Sequence, residues 1–341
     1  MASVVDRAST LDTRGRPMRD LRLSVIDRCN FRCPYCMPED VYDEKYTFYS
    51  KQQRLSDDET ITLVEAFAQV GINKLRLTGG EPLLRKDLPQ LLERLIHVPG
   101  IEDIAMSTNG ILLPRYARAL REAGLQRITV SVDSTDPVSF LMMSGGRGSL
   151  DEVFAGIEAA REAGFETVKI NAVIERGRNE DQILPLARTF RERGCTLRFI
   201  EYMDVGTRNR WKLADVVTSS EIRRMIDAQW PLEAVSANYR GEVATRYRYR
   251  DGGGEVGFIS SISQPFCSDC TRARLSADGK LYTCLFARDG ADLRQPLREG
   301  ASVEQMRDII AGLWGQRTDR YSELRAAGVA QEKIEMFQIG G

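Results

Sequence analysis

Histidine is almost absent from this sequence, which contains only His97 among its 341 residues. A single histidine leaves little basis for serine–histidine–aspartate catalysis, and it excludes a metal site built from several histidines. His97 ends the helix-like run LLERLIH, so we interpret it as a surface residue at a helix end. The formal net charge is −1, so bulk charge gives no indication of nucleic-acid binding.

Long apolar runs and glycine-rich phosphate loops are also absent. No run approaches the ~18 apolar residues of a membrane-spanning helix, and the polar start MASVVDRASTLDTRGRP does not resemble a signal peptide. Neither GxxxxGKS/T nor a GxGxxG that opens a helix occurs, so a nucleotide would have to be bound through side-chain cations. These absences predict a cytoplasmic protein without a membrane partner, whose seven cysteines stay reduced and available for chemistry.

A helix-like stretch that ends in glycine and is followed at once by a β-rich run recurs through the first two thirds of the chain. Glycine suits the left-handed position that closes a helix. Such runs follow Gly71, Gly100, Gly124, Gly164 and Gly194. Together with the opening run LRLSVID they give six strands alternating with helices, which predicts a parallel sheet in a partial (βα)6 TIM-like barrel. The loops after the strands hold the chemistry in such barrels, so we expect the site there.

The pattern changes near residue 204. A helix around SSEIRRMIDAQW, strand-like runs GEVATRYRYR and GEVGFISS, a hairpin at ADGKLYTC and a late helix around SVEQMRDIIAGLW predict a smaller α+β region packed on the barrel. We therefore predict a flexible N-terminal extension over residues 1–15, a barrel over 16–204, and a C-terminal domain over 205–341 that ends in Gly340-Gly341.

Six of the seven cysteines fall into two triplets. The first is Cys29-x3-Cys33-x2-Cys36, with no fourth ligand nearby. A structural zinc site needs four ligands, whereas a cubane iron–sulfur cluster held by three thiolates leaves one iron open to a small molecule. The second triplet has the same open position, although a zinc knuckle remains an alternative for it; its members are Cys267, Cys270 and Cys284. Cys195 is interpreted as a buried small apolar residue.

Cationic residues occur inside several of the predicted strands, where they are costly unless paired with an anion. Arginine and lysine in this arrangement suit a triphosphate, because a guanidinium group binds phosphate oxygens in pairs. Alternation in CTRARLS places Arg272 and Arg274 on one face of a strand. The candidates are Arg22, Lys74, Arg76, Lys169, Arg198, Arg272 and Arg274.

The sequence resembles the radical S-adenosylmethionine (SAM) enzymes in its first triplet, with Tyr35 before the last cysteine, and in its Gly79-Gly80-Glu81-Pro82 segment. Within them, CSDCTRARLSADGKLYTCLF, STNG, VSVDS, RFIEYMDVG and the terminal glycines resemble the GTP 3′,8-cyclase family, over roughly residues 16–341. The resemblance implies a lyase of molybdenum cofactor biosynthesis. It would convert GTP to 3′,8-cyclo-7,8-dihydroguanosine 5′-triphosphate after a 5′-deoxyadenosyl radical takes the ribose 3′ hydrogen.

The resemblance also implies cofactors and site residues. Two [4Fe-4S] clusters are implied, one on the first triplet that cleaves SAM and one on the second that binds guanine. SAM contacts are implied for Tyr35, Gly80, Ser131 and Met203, and GTP contacts for Arg22, Arg76, Ser107, Lys169, Arg272 and Arg274, with Lys74 and Arg198 as neighbours. Beside the first triplet, catalytic contributions are implied for Arg272, Arg274, Gly340 and Gly341.

The implied partners are a flavodoxin- or ferredoxin-type electron donor, a downstream cyclic pyranopterin monophosphate synthase and a second copy of the chain. Two other functions fit parts of the sequence. A peptide-modifying radical SAM maturase usually carries more than three C-terminal cysteines. A zinc-ribbon binding module leaves TGGEP and the strand arginines unexplained. Iron and zinc content separate the enzyme from the zinc module.

Overall fold

One sheet of twelve strands organises the described part of the computed structural model, residues 10–239, 241–325 and 333–340. The strand order is β12-β11-β10-β1-β2-β3-β4-β5-β6-β9-β8-β7. The strands are β1 (Asp20–Ser24), β2 (Lys74–Thr78), β3 (Asp103–Thr108), β4 (Arg127–Ser131), β5 (Val168–Ile174), β6 (Thr196–Glu201), β7 (Leu232–Val235), β8 (Thr245–Tyr249), β9 (Glu255–Ile259), β10 (Arg272–Leu275), β11 (Lys280–Tyr282) and β12 (Ala291–Asp292).

Six helices connect the first six strands: α1 (Asp57–Val70), α2 (Leu88–Leu95), α3 (Leu113–Glu122), α4 (Pro137–Ser144), α5 (Leu150–Glu162) and α6 (Ile183–Glu192). The described residues after β6 add α7 (Ser219–Gln229), α8 (Arg294–Arg298), α9 (Val303–Gly315) and α10 (Tyr321–Leu324). A capping box begins α1 at Ser56 and α5 at Ser149, which satisfies otherwise unpaired N–H groups. No helix within the described ranges has the length and apolar character needed to cross a membrane.

The parallel strands β1 to β6 form the predicted partial barrel, which is confirmed. Side chains alternate along each strand, so Leu21 and Leu23 pack among the helices while Arg22 points to the other face. The register places Arg22 beside Arg76 of β2 and beside Arg274 of β10. The pairing of strands therefore collects cations on the inner face.

The chain after residue 204 does not form a separate layer on the barrel. Strand β10 pairs in parallel with β1, and β9 pairs in parallel with β6, so the C-terminal region extends both edges of the same sheet. The antiparallel strands β11, β12, β8 and β7 follow outward. The boundary at residue 204 stays a prediction.

The N-terminal extension is packed where the structure describes it. Leu11 bridges to Pro17, and the Asp12 side chain is fully buried. The indole of Trp314 in α9 donates a hydrogen bond to the Arg16 carbonyl, with 2.9 Å between the atoms. A buried ion pair and α9 thus hold the segment around Asp12 and Arg16, whereas residues 1–9 lie outside the described ranges, and the flexible extension stays a prediction.

Candidate active site

The inner face of the barrel encloses a cavity of ≈ 560 Å³. Both cysteine triplets line it, and so does every cation that the sequence analysis singled out. Tyr35, Gly80, Ser107, Ser131 and Met203 line it as well. A single space thus brings together residues that are spread over more than 250 positions of the chain.

The first triplet lies in the loop that follows β1. The Cys36 and Met37 amides both donate to the Cys33 carbonyl, at 3.0 and 2.9 Å, which folds the loop into a tight turn. The Arg32 guanidinium donates to the Cys29 carbonyl at 2.8 Å and fixes the start of this turn. Burial raises the pKa of Cys29 to about 12, so the thiol stays protonated unless a metal neutralises its charge.

The Gly-Gly-Glu-Pro segment packs directly against this loop. The Gly80 amide donates to the Ile26 carbonyl and the Glu81 amide to the Arg28 carbonyl, both at 2.7 Å. A Cβ atom at Gly80 would overlap the Arg28 carbonyl, so only glycine permits this approach. Gly80 and Glu81 therefore hold the start of the cysteine loop by backbone hydrogen bonds.

Glu81 is a buried carboxylate that connects two loops of the site. It accepts hydrogen bonds from the Thr108 hydroxyl at 2.7 Å and the Asn109 amide at 2.8 Å. The Asn109 side chain in turn donates to Asn30 in the cysteine loop at 2.7 Å. Burial raises the pKa of Glu81 to about 7. Glu81 thus positions the STNG loop beside the first triplet, a role that the motif alone did not indicate.

Tyr35 and Asp133 form a second buried connection. The Tyr35 hydroxyl donates to an Asp133 carboxylate oxygen at 2.7 Å, and the Val173 amide donates to the other at 2.8 Å. Burial raises the pKa of Asp133 to about 6. Asp133 lies two residues after the end of β4, and the sequence analysis did not name it as a site residue. Its position just after a barrel strand could have indicated a place in the site.

The second triplet lies at the opposite end of the strands. Cys267 and Cys270 form a turn just before β10 begins, and Cys284 follows β11, which runs antiparallel to β10. The first triplet instead follows the last residue of β1. The five residues of β1 separate the two ends, which corresponds to roughly 16 Å.

The cysteines of the second triplet differ in charge environment. Burial opposes ionisation of Cys270, but the guanidinium groups of Arg272 and Arg317 outweigh it and lower the Cys270 pKa to about 6. Arg272 donates to the Cys270 sulfur at 3.6 Å. Burial raises the pKa of Cys284 to about 12.

Neither triplet has the geometry of a single-ion site. Among the residues that the structure describes, no group of three cysteine, histidine or acidic side chains converges closely enough to hold one metal ion. A cubane cluster binds its cysteines through different iron atoms and so suits more widely spaced thiols. All six thiols are unpaired and line the cavity. The donor set therefore fits iron–sulfur clusters better than zinc.

The cationic side chains form a belt between the triplets. Arg76 donates to the Ser107 hydroxyl at 3.2 Å, and Arg198 donates to the Thr129 hydroxyl at 3.2 Å. The Lys74 ammonium lies 3.7 Å from the centre of the Tyr239 ring. Arg127, which pairs with Asp103, adds a further cation that the sequence analysis did not name. Burial and neighbouring guanidinium groups lower the pKa of Arg22, so a polyanion would relieve the repulsion.

The C-terminal tail reaches this cavity. Lys333 donates to Asp204 at 2.6 Å, and Glu335 accepts hydrogen bonds from the Thr207 amide and hydroxyl, both at 2.9 Å. Phe337 then packs edge-on against Tyr42, with 4.8 Å between ring centres. The tail is thus attached both to the loop after β6 and to the segment that follows the first triplet.

Gly340 lies between the arginine belt and the Gly-Gly-Glu-Pro segment. Its carbonyl accepts a hydrogen bond from Arg274, and its φ of +72° is in the left-handed region. A Cβ atom at this position would overlap the Thr78 hydroxyl. The predicted site residue Gly340 therefore lies against Arg274 and Thr78, which line the cavity; Gly341 lies outside the described residues.

Lys169 gives a pH-dependent prediction. Burial, together with the guanidinium groups of Arg198 and Arg127, lowers the pKa of Lys169 to about 8. A bound triphosphate would raise this pKa again, so at pH 8.5 binding of a nucleoside triphosphate should take up between about one half and one proton. The affinity for the triphosphate should accordingly fall as the pH rises through 8. Calorimetry of the reconstituted protein in two buffers of different ionisation enthalpy measures this uptake.

Two variants control the Lys169 measurement. Lys169→Gln should abolish the proton uptake, and Lys280→Gln, in β11 and away from the belt, should leave it unchanged. Equal uptake by Lys169→Gln and the unsubstituted protein at pH 8.5 would assign the proton to another group.

Comparisons with known proteins agree in both halves of the chain. Residues 23–190 match the Radical SAM superfamily, and residues 195–323 match Molybdenum Cofactor Synthesis C. The chain is 57% identical to the GTP 3′,8-cyclase of Xanthomonas campestris pv. campestris strain B100, over 97% of each chain. It is 44% identical to the GTP 3′,8-cyclase of Staphylococcus aureus strain JH9, over 97% of this chain and 98% of the relative.

The fold is also similar to that of a solved structure. Streptococcus suis SuiB bound to S-adenosylmethionine superimposes with a TM-score of 0.62 at 14% identity, over 91% of this chain and 68% of that chain. At 14% identity, this similarity shows only that the two proteins share a fold.

Proposed function

Because the chain belongs to the GTP 3′,8-cyclase family of radical SAM enzymes of molybdenum cofactor synthesis, and so uses SAM and iron–sulfur chemistry, we propose that it converts GTP to 3′,8-cyclo-7,8-dihydroguanosine 5′-triphosphate. The observation that carries this proposal is the shared cavity. Two cysteine triplets line its opposite ends, and a belt of buried cations lies between them.

The proposal assigns the first triplet and its neighbours to SAM. Cys29, Cys33 and Cys36 would hold the first [4Fe-4S] cluster and leave one iron for the amino and carboxylate groups of SAM. Tyr35, Gly80, Ser131 and Met203 would contact SAM around it. When bound, SAM and the reduced cluster supply the 5′-deoxyadenosyl radical that takes the ribose 3′ hydrogen.

The remaining residues are assigned to GTP. Cys267, Cys270 and Cys284 would hold a second [4Fe-4S] cluster, with one iron left free of protein ligands to bind guanine. The triphosphate would bind along the cationic belt, formed by Arg22, Arg76, Lys169, Arg272 and Arg274 with Ser107, and with Lys74 and Arg198 as neighbours. Fixing the nucleotide at both ends holds ribose C3′ and guanine C8 together and excludes water, which is the contribution of the protein to rate.

The reaction also requires electrons from outside the chain. Cleavage of SAM to methionine and the 5′-deoxyadenosyl radical would take one electron. The radical would take the 3′ hydrogen atom to give 5′-deoxyadenosine, a C3′–C8 bond would form, and a second electron with one proton would complete the dihydroguanosine. We assign the electron supply to a flavodoxin- or ferredoxin-type donor, and the consumption of the product to cyclic pyranopterin monophosphate synthase. A homodimer is part of the same proposal.

Anaerobic reconstitution with iron and sulfide, followed by incubation with GTP and SAM, tests the function. The protein should hold about eight irons per chain, as expected for two cubanes. GTP deuterated at ribose C3′ should give 5′-deoxyadenosine carrying one deuterium and a cyclised nucleotide, whereas ATP should give neither. Zinc in place of iron, or 5′-deoxyadenosine without deuterium, would contradict the proposal.

A further inference from the structure

Two buried arginines from opposite ends of the chain hold the turn of the second triplet. Arg16 donates to the Cys267 carbonyl at 2.7 Å and to the Asp319 carbonyl at 2.8 Å. Arg317 donates to the Cys270 carbonyl at 2.8 Å. Each of the first two cysteines is therefore fixed by its own guanidinium group.

Asp12 joins the two arginines into one unit. Its carboxylate pairs with Arg16 at 2.6 Å and with Arg317 at 3.4 Å. The three side chains are at most 2% exposed. Arg317 Nε also donates to the partly exposed Asp319 carboxylate at 3.3 Å, so the group as a whole is close to neutral. Its two buried guanidinium groups nevertheless lie on the side of the cysteine turn, where the low dielectric makes their charge effective.

One donor of this unit has no partner among the described residues. The Arg16 Nη2 atom is buried without a hydrogen-bond acceptor, while Arg16 itself lines the cavity that the second triplet lines. A buried donor without an acceptor is costly. The sulfides or thiolates of an iron–sulfur cluster on the second triplet would supply the acceptor that this atom lacks.

The two triplets differ in the charges that surround them. Three carboxylates, Glu81, Asp133 and Glu335, act on the cysteines of the first, against the single guanidinium of Arg32 on Cys29. Around the second, the guanidinium groups of Arg272 and Arg317 act on Cys270, and the Asp319 carboxylate acts on Cys284. Reduction makes a cluster more negative, so nearby cations favour the reduced form and raise the reduction potential, and carboxylates lower it.

We propose that Arg16 and Arg317 are positioning residues that fix the Cys267–Cys270 turn and raise the reduction potential of the cluster held there. This inference rests on the proposed second cluster. It goes beyond the nucleotide-binding residues, because neither Arg16 nor Arg317 belongs to the cationic belt. Asp12 keeps the two guanidinium groups in place.

The test isolates the second site in a full-length Cys29→Ala/Cys33→Ala/Cys36→Ala background. In that background Arg317→Gln removes one guanidinium but leaves the Asp12–Arg16 pair intact. We expect the ratio of oxidised to reduced cluster at a fixed potential to rise at least tenfold, which corresponds to a fall of about 59 mV in the one-electron reduction potential. Redox titration followed by electron paramagnetic resonance measures this potential. Iron release to a chelator should be at least about tenfold faster.

Three further variants complete the design. Arg317→Lys should keep the reduction potential near its original value, because lysine keeps the positive charge. It should release iron faster, because lysine lacks the planar set of hydrogen-bond donors of the guanidinium group. If Arg317→Gln proves too unstable to purify, Arg16→Lys takes its place in the design. It should likewise keep the potential near its original value and release iron faster. Arg14→Gln is the matched control, since Arg14 lies in the same segment but pairs only with Glu323 on the surface among its described ion pairs.

The outcomes separate this inference from the proposed function. A background protein that binds no iron would overturn the second cluster itself. A background protein that binds about four irons, with Arg317→Gln and Arg14→Gln showing the same potential and the same iron release, would overturn the inference while leaving the second cluster in place.

Discussion

Replacement of Cys29, Cys33 or Cys36 by serine is expected to lower 5′-deoxyadenosine formation by at least about a thousand-fold, which is about 4 kcal/mol of transition-state free energy. The three thiols line one turn of the cavity, and within the described residues no fourth cysteine lies near enough to replace a lost one. A serine hydroxyl ionises far less readily than a thiol and is a poor ligand for iron. Anaerobic chromatography of the nucleoside product measures the loss.

The second triplet should respond differently. Cys267→Ser, Cys270→Ser and Cys284→Ser should leave measurable uncoupled SAM cleavage but yield no cyclised nucleotide, because the first triplet and its neighbours stay intact about one strand length away. Cys195→Ser is the control, since Cys195 is buried outside the cavity between α6 and β6. A Cys29→Ser protein that cleaves SAM at the normal rate would disprove the assignment of the first triplet.

Gly340→Ala is expected to lower GTP-dependent SAM cleavage and product formation by at least about tenfold, or 1.4 kcal/mol. The added Cβ atom would overlap the Thr78 hydroxyl, and the backbone there has a φ of +72°. The tail would therefore move away from Arg274 and from the Gly-Gly-Glu-Pro segment. Deletion of Gly340 and Gly341 should have the same effect, with melting temperature and iron content nearly unchanged.

A second glycine separates backbone strain from loss of the tail position. Gly177 has a φ of +78° with open space around it, so Gly177→Ala introduces similar strain without a steric overlap. This control should leave turnover close to that of the unsubstituted protein. Unchanged turnover in both Gly340→Ala and the truncated protein would show that the tail is only a terminus.

The sequence predicted the parts of this molecule that depend on local pattern. Alternating helices and strands identified β1 to β6, and motif spacing identified both triplets and a part of the cavity lining. Inward-facing arginines were recognisable because a charge in a buried strand needs an anion.

The parts that depend on long-range pairing could not be predicted. The parallel pairing of β10 with β1 joins residues 20 and 272, and no local pattern specifies it. Asp133, Arg127 and Tyr239 acquire their roles only from strand register and loop packing. Asp12 and Arg317 are ordinary surface residue types in sequence, and only their convergence on the Cys267–Cys270 turn gives them a function.

The strand order has a consequence for how the protein is made. The first triplet, Gly-Gly-Glu-Pro and STNG all lie within residues 29–110, so the contacts that shape the first site are available early in synthesis. The turn of the second triplet is held by Arg16, in the segment that precedes β1, and by Arg317, which follows α9. The ribosome must therefore synthesise the chain through Arg317 before the second site can close, and cluster insertion there is expected to follow emergence of that segment.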